Sequence, residues 1–329
     1  MTDADKVIGI ATTVPVEVIY AAGMRPVDLN NKFITSDDPA KMVEDAEQAG
    51  FPRNICSWIK GVYSAARRLG LRRVIAVARG DCSNTHALAE ILESEGVETI
   101  DFSFPYRREQ RELQSELAKL CHRLGTTPAA AEEQKLRLDA VRRVVREIDR
   151  LTFEELRVSG EENHLWLINT SDFRGDPERY EAEARAFLDT AGRRKPKHRG
   201  VRLAVIGIPP ICSDLYATLD ELGASVVFNE MQRQFSMPYD TTTLLEQYSR
   251  YTYPYDIFFR LDDVERELAR RRVEGVVHYV QSFCFRGIQD RLVRGRLNVP
   301  ILTLECDRPG PLDARSHTRL EAFMEMLTG

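Results

Sequence analysis

Short runs of β-favouring apolar residues alternate with amphipathic helical segments near both ends of this 329-residue chain. The first block of the sequence predicts strands at residues 6–12, 25–30, 72–79 and 97–105. The second block predicts strands at residues 201–209, 224–230, 273–284 and 299–307. Strands that alternate with helices form parallel sheets, because a parallel neighbour is reached through a crossover that is usually helical. The pattern therefore predicts an α/β protein with two parallel sheets of the Rossmann or flavodoxin-like kind.

The middle of the chain, from about residue 106 to 190, has a different pattern. Apolar residues in "LQSELAKLCHRLG" and "LRLDAVRRVVREIDRL" recur at helical spacing, and no alternating strand pattern interrupts them. We expect an N-terminal α/β domain over residues 1–195 that carries this helical insertion, and a C-terminal α/β domain over residues 196–329. The stretch "GRRKPKHRG" (192–200) is typical of a linker, and the helical layer is predicted to lie between the two domains.

Charge and hydropathy exclude several classes of partner. The formal net charge is -5 and the pI is near 5.8, whereas nucleic-acid binders usually carry a basic face. No apolar run reaches the ~18 residues that a membrane-spanning helix needs. The opening "MTDADK" has no apolar core of a signal peptide. The sequence thus predicts a cytoplasmic protein that binds neither membrane nor nucleic acid.

Three of the six cysteines lie at predicted element edges, where parallel sheets place ligands. Cys82 follows a predicted strand, Cys284 stands at the C-terminal end of another, and Cys56 stands where a loop becomes a helix. These thiols are either ordinary buried cysteines or ligands of one shared soft-metal site, and the residues alone leave both interpretations open. Cys212 and Cys306 are also near strand ends, either as walls of the same cleft or as further ligands. Cys121 has the phase of a core residue in a helix.

A shared site of three thiolates has a definite chemistry. Soft thiolates select iron–sulfur clusters, zinc or cuprous copper. A cluster of four irons and four sulfides normally takes four cysteines. With three, one iron is left open to water, sulfide or substrate, which favours Lewis-acid or electron-transfer chemistry there.

The sequence resembles the 2-hydroxyacyl-CoA dehydratase / benzoyl-CoA reductase family over nearly its whole length. The segments that carry the resemblance, in family order, are "PVEVIYAAGMRPVDL" (15–29), "FPRNICSWIKG" (51–61), "GDCSNT" (80–85), "VEGVVHYVQSFC" (273–284), "VPILTLECD" (299–307) and "TRLEAFMEML" (318–327). The resemblance implies an oxygen-sensitive 4Fe–4S cluster in the cleft between two α/β domains, with Cys56, Cys82 and Cys284 as its ligands.

The resemblance also implies partners and a reaction. Family members are dimers of related subunits, so a homodimer or a heterodimer is expected here. A separate ATP-hydrolysing iron–sulfur activator supplies a low-potential electron; this chain has no phosphate-binding glycine loop of its own. The implied activity is that of a dehydratase (a lyase) or a reductase, acting on an acyl-CoA or another small molecule.

Two supporting residues and two alternative functions complete the expectations. Ser57, beside Cys56, is a candidate for hydrogen bonding to the cluster or substrate, although helix capping is the plainer role. His278 is a candidate proton-transfer group, although a sheet-face or core histidine is commoner. The alternative functions are a reductase of small molecules with an eight-iron double-cubane cluster, and a non-catalytic electron carrier that keeps the cluster.

Overall fold

A computed structural model describes residues 6–197 and 200–329. The predicted linker over residues 192–200 therefore lies partly outside the described residues, as does most of the acidic opening segment. In chain order the strands are β1 (Val7–Ile10), β2 (Arg25–Asp28), β3 (Arg73–Arg79), β4 (Glu98–Ser103), β5 (Val201–Gly207), β6 (Ala224–Asn229), β7 (Gly275–Val280) and β8 (Ile301–Glu305).

The α-helices connect and cover these strands. In chain order they are α1 (Val16–Ala21), α2 (Leu29–Ile34), α3 (Pro39–Gln48), α4 (Ser57–Arg68), α5 (Ser83–Ser94), α6 (Gln110–Arg123), α7 (Pro128–Phe153), α8 (Gly160–Ile168), α9 (Pro177–Ala191), α10 (Leu215–Glu221), α11 (Glu230–Phe235), α12 (Leu244–Arg250), α13 (Ile257–Arg270), α14 (Phe285–Arg296) and α15 (Ala314–Thr328). Two short 3-10 helices lie between α8 and α9, so the middle of the chain is helical as the apolar spacing predicts.

The strands form two four-stranded sheets with the same topology. The first sheet has the order β2-β1-β3-β4 and the second the order β6-β5-β7-β8, and every pairing is parallel. Within each sheet the first strand in sequence pairs with both the second and the third. This is the flavodoxin-like order, in which ligands bind at the point where the order of the strands reverses. The prediction of two parallel-sheet α/β halves is confirmed.

The chain divides into two compact units, and each unit contains several chain segments. The first unit holds the chain up to Arg143, together with Asn169–Glu181 and Met237–Asp256. The second holds Val144–Ile168, Ala182–Ser236 and Ile257–Gly329. The predicted domain bounds near residue 195 stay a prediction.

The second sheet is buried by apolar side chains on its helices. Leu261, Val264 and Leu268 of α13 recur at helical spacing and pack with Val276 of β7. All six residues of β7 are buried, as expected for an inner strand of a parallel sheet that is covered on both faces. Among the described residues, no helix combines the length and the apolar character needed to cross a bilayer.

Two buried aspartates fix the edge of the first sheet. Asp172 accepts hydrogen bonds from the backbone N–H groups of Asp28 and Arg174, both at 2.8 Å. Asp28, at the end of β2, accepts from the N–H groups of Asn30 and Asn31 and so caps α2. Burial, followed by the nearby Asp28 carboxylate, raises the pKa of Asp172 to about 6. The protonated form of Asp172 is therefore favoured in the folded state relative to the unfolded chain.

This raised pKa predicts a pH dependence of stability. A carboxyl whose pKa is higher in the folded state stabilises the fold fully below its unfolded pKa, and this contribution is lost as the pH rises through the folded value. We expect the free energy of unfolding to fall by up to about 3 kcal/mol more between pH 4 and pH 7 in the parent than in Asp172→Asn. Urea unfolding at several pH values measures both slopes. Parallel slopes would show that Asp172 titrates normally.

Candidate metal centre

The three predicted ligand cysteines share one structural position: each is the N-cap residue of a helix. Cys56 precedes α4, Cys82 precedes α5 and Cys284 precedes α14. Each of these helices has 12 residues, and each cysteine is partly exposed. Backbone N–H groups without intrahelical partners point out of a helix N-terminus, and the helix dipole favours negative charge there. Each cysteine therefore stands where the backbone stabilises a thiolate.

Two of the three cysteines also hold equivalent places in the two sheets. Cys82 follows β3 and Cys284 follows β7, and these are the third strands of their respective sheets in sequence order. Both strands pair with the first strand of their sheet, β1 or β5, next to the point where the chain order reverses. Ligands of flavodoxin-like sheets bind at this place. Cys56 instead follows no strand: it lies at the end of the loop between α3 and α4.

Cys82 has the most complete description of the three. Burial, followed by the charge of Asp81, raises its pKa, while hydrogen bonds from the backbone of Thr85 and Asn84 act in the opposite direction. The Thr85 hydroxyl donates to Asp81 at 2.8 Å, and the Tyr253 hydroxyl donates to Asp81 at 3.4 Å. Without a metal the thiol thus holds its proton, and a metal that binds it must displace that proton.

Gly80 allows the loop that carries Cys82 to turn. Its φ is +103°, a backbone conformation that residues with a side chain rarely adopt. A Cβ atom there would lie 2.8 Å from Cβ of Phe104 and 2.9 Å from Cβ of Pro254. Both neighbours are held by the chain rather than being the ends of flexible side chains. The position therefore requires glycine on conformational and steric grounds together.

We expect Gly80→Ala to destabilise the protein by about 2–4 kcal/mol, from overpacking and the positive φ combined. Thermal unfolding measures the loss, and Gly96→Ala is the matched control. Gly96 also has a positive φ, of +84°, but nothing lies within 4 Å of the site of its Cβ. Equal losses in the two variants would mean that the contacts with Phe104 and Pro254 do not matter.

The loop that carries Cys284 holds a strained residue. Phe283 has a φ of +63° and a side chain that is 77% exposed, which is unusual for a bulky residue. Hydrogen bonds fix the loop on both sides: the Cys284 N–H donates to the Gln281 carbonyl, and the Ser282 N–H donates to the Asp307 carboxylate at 2.7 Å. Strained residues of this kind cluster at functional sites.

The structure buries both predicted supporting residues. Ser57 is the first residue of α4 and is 3% exposed. His278 lies in the middle of β7, with Nδ1 2.7 Å from the Asp290 carboxylate. Burial lowers the pKa of His278, and the hydrogen bond to Asp290 opposes this effect only in part, so the ring is neutral. We assign the proton to Nδ1. The catalytic roles of Ser57 and His278 stay predictions.

The donor set fits a soft metal or an iron–sulfur cluster by its chemistry. All six cysteines are thiols rather than disulfides, and the three at helix N-caps are partly open to solvent. Over residues 6–197 and 200–329, no group of three or more His, Cys, Asp or Glu side chains is arranged to hold a metal ion. The assignment of Cys56, Cys82 and Cys284 as a common ligand set stays a prediction.

An apolar cavity of about 360 Å³ opens between α4 and α5 of the first unit. Its lining includes Phe51, Ile59 and Leu88. It also includes Ile55, which precedes Cys56, and Asn84, which follows Cys82 by two residues. The cavity therefore adjoins both loops that carry the cysteines of this unit.

The structure defines an α/β protein with two parallel sheets of flavodoxin-like order. In each sheet the third strand in sequence leads to a cysteine at a helix N-cap. The chain belongs to the family described as 2-hydroxyglutaryl-CoA dehydratase, D-component, which matches residues 11–327. The resemblance in the sequence is thereby confirmed, and the chain is related to a component of a dehydratase. No individually curated protein gives a significant match to the chain.

Sequence reasoning missed that Cys212 and Cys306 lie in adjoining loops. Both were considered as walls of a cleft or as extra ligands, but neither was connected with the other. They are far apart along the chain, and only the parallel order β5-β7-β8 brings their loops to one edge. The Asp290 partner of His278 was missed for the same reason, since it lies on α14 rather than on the sheet.

Proposed function

We propose that the chain is the iron–sulfur subunit of a 2-hydroxyacyl-CoA dehydratase-like or benzoyl-CoA reductase-like enzyme. The observation that carries the proposal is the common N-cap position of Cys56, Cys82 and Cys284 within the region that matches the D-component family. In this proposal the three thiolates hold one 4Fe–4S cluster and leave one iron open. When bound, such a cluster supplies low-potential one-electron transfer and a Lewis-acidic iron.

Backbone N–H groups at the helix N-termini favour the thiolates, and at Cys82 burial and the charge of Asp81 act against this effect. Three helix N-termini lower the free energy of thiolates relative to thiols. The part-buried position of Cys82 restricts water around that ligand. The apolar cavity beside Ile55 and Asn84 suits the uncharged acyl portion of a thioester, because burial of apolar surface there favours binding.

The proposal includes two partners that act with this chain. One is a second copy or a related subunit with which it forms a dimer. The other is an ATP-hydrolysing iron–sulfur activator that supplies the electron. The family description as one component of a dehydratase supports the need for partners.

The test is the response of the anaerobic, reduced protein to an acyl-CoA. We expect a 2-hydroxyacyl-CoA with an uncharged acyl chain, such as 2-hydroxybutyryl-CoA, to change the electron paramagnetic resonance spectrum of the cluster and free coenzyme A to leave it unchanged. With activator, ATP and partner subunit present, mass spectrometry should detect the dehydrated thioester. A spectrum that no acyl-CoA alters would favour an electron carrier instead.

A further inference from the structure

Cys212 and Cys306 lie in adjoining loops at the carboxyl edge of the second sheet. Cys212 lies in the loop after β5, and Cys306 directly follows β8. The proposed function assigns the cluster to the three cysteines at helix N-caps and gives no role to these two.

Backbone contacts hold the two loops side by side. The Tyr279 hydroxyl accepts from the Ile211 N–H at 3.1 Å and donates to the Cys306 carbonyl at 2.8 Å. The Tyr279 hydroxyl thus joins the backbone of Cys306 to that of Ile211, the residue before Cys212. Cys212 also forms a parallel β-bridge with Gly310, and the Ser213 N–H donates to the Gly310 carbonyl at 2.9 Å.

The two thiols differ in exposure and in acidity. Cys212 is 7% exposed, whereas Cys306 is partly open to solvent. Contact with Cys306, followed by burial, raises the pKa of Cys212. The contact with Cys212 lowers the pKa of Cys306, because the Cys212 S–H stabilises a thiolate there. One thiol is thus accessible and acidic, and its neighbour is buried and protonated.

We propose that Cys212 and Cys306 are a reversible dithiol–disulfide site, with Cys306 as the attacking thiol and Cys212 as the resolving thiol. The oxidant is a low-molecular-weight disulfide such as glutathione disulfide. The Cys306 thiolate attacks one sulfur of this disulfide and releases one thiolate, leaving a mixed disulfide on Cys306. Cys212 then loses its proton to the medium and attacks the Cys306 sulfur, which releases the second thiolate.

Electrons and protons balance in this exchange. The two cysteines lose two electrons and two protons, and the small disulfide is reduced to two thiols. Accessible thiolates with a neighbouring resolving cysteine are the usual targets of such oxidation. The Tyr279 hydrogen bonds hold both loops in place.

The test maps disulfides in the full-length chain. The reduced protein is equilibrated under nitrogen with glutathione mixtures of increasing disulfide content, alkylated and digested with trypsin. We expect a linked pair of peptides, residues 203–233 and 297–315, to appear in the mass spectrum. Cys121→Ser, which removes a buried cysteine of α6, should form the same linkage.

Two variants test the assigned roles. Cys212→Ser should accumulate one glutathione on Cys306, because no resolving thiol remains. Cys306→Ser should leave Cys212 without an adduct, because Cys212 is buried. If both cysteines of the parent stay alkylatable at every glutathione ratio, or if Cys306 links to a different cysteine, the proposal is wrong. This outcome is measured on the parent protein and so does not depend on the folding of any variant.

Discussion

Replacing Cys284 by serine is expected to remove most of the iron, about four atoms per chain in the parent, while the fold survives. A hydroxyl is a harder and less acidic ligand than a thiol and holds cluster iron poorly. Cys284 is a partly exposed N-cap, and serine is a favourable N-cap residue, so the helix α14 should keep its start. Iron analysis, visible absorbance and circular dichroism measure the two effects separately.

The matched control for this substitution is Cys121→Ser. Cys121 is a buried thiol of α6, on the apolar face of that helix. The control should keep its iron and its absorbance, although burial of a hydroxyl costs some stability. Equal iron content in Cys284→Ser and the parent would assign Cys284 to packing alone.

Arg260→Met is expected to destabilise the protein by about 3–5 kcal/mol at pH 7, because it leaves a buried carboxylate without its partner. Arg260 on α13 forms two hydrogen bonds of 2.6 Å to Glu230, and both side chains are almost fully buried. Glu230 also accepts from the Gly207 N–H at the end of β5. The pair therefore helps to fix the carboxyl edge of the second sheet.

The pH dependence of this loss identifies its cause. Burial, the largest single effect, would raise the pKa of Glu230. The charge and hydrogen bonds of Arg260, together with the Gly207 N–H and the charge of Arg286, outweigh burial, and the pKa is lowered. Paired Glu230 thus stabilises the parent above its unfolded pKa, and this contribution fades as the pH falls. Without Arg260 the carboxyl takes up a proton, so the deficit should shrink at acidic pH.

Two further variants control for the charge change. Arg260→Met combined with Glu230→Gln should recover a large part of the loss, because neither member of the pair then carries a buried charge. Arg296→Met removes an arginine of α14 whose ion pairs lie at the surface, and it should change stability little. Urea denaturation measures all of these. A loss in Arg296→Met equal to that in Arg260→Met would rule out burial as the cause.

The sequence predicted the strands and helices well because each element carries a local pattern. The apolar run of β7 and the helical spacing of α6 and α7 are examples, and both elements lie where expected. The position of Cys82 and Cys284 at strand ends was likewise visible, because the residues that follow each strand are read directly from the chain. Their N-cap geometry was not, since a cysteine is an uncommon cap.

Contacts across long stretches of chain could not be predicted. Glu230 and Arg260 are 30 residues apart, and Cys212 and Cys306 are much farther apart, so no spacing rule connects them. Asp28 and Asp172 meet only because the segment after α8 returns to the first sheet. From the sequence alone, a charged residue is expected at the solvated surface, and only the structure shows a partner that allows its burial.

The most direct test of the central claim is iron and acid-labile sulfide analysis of the anaerobically reconstituted chain. We expect about four irons and four sulfides per chain in the parent, as for one cubane cluster. The variant that combines Cys56→Ser, Cys82→Ser and Cys284→Ser should bind almost none. About eight irons in the parent, or a cluster retained by that triple variant, would contradict the account.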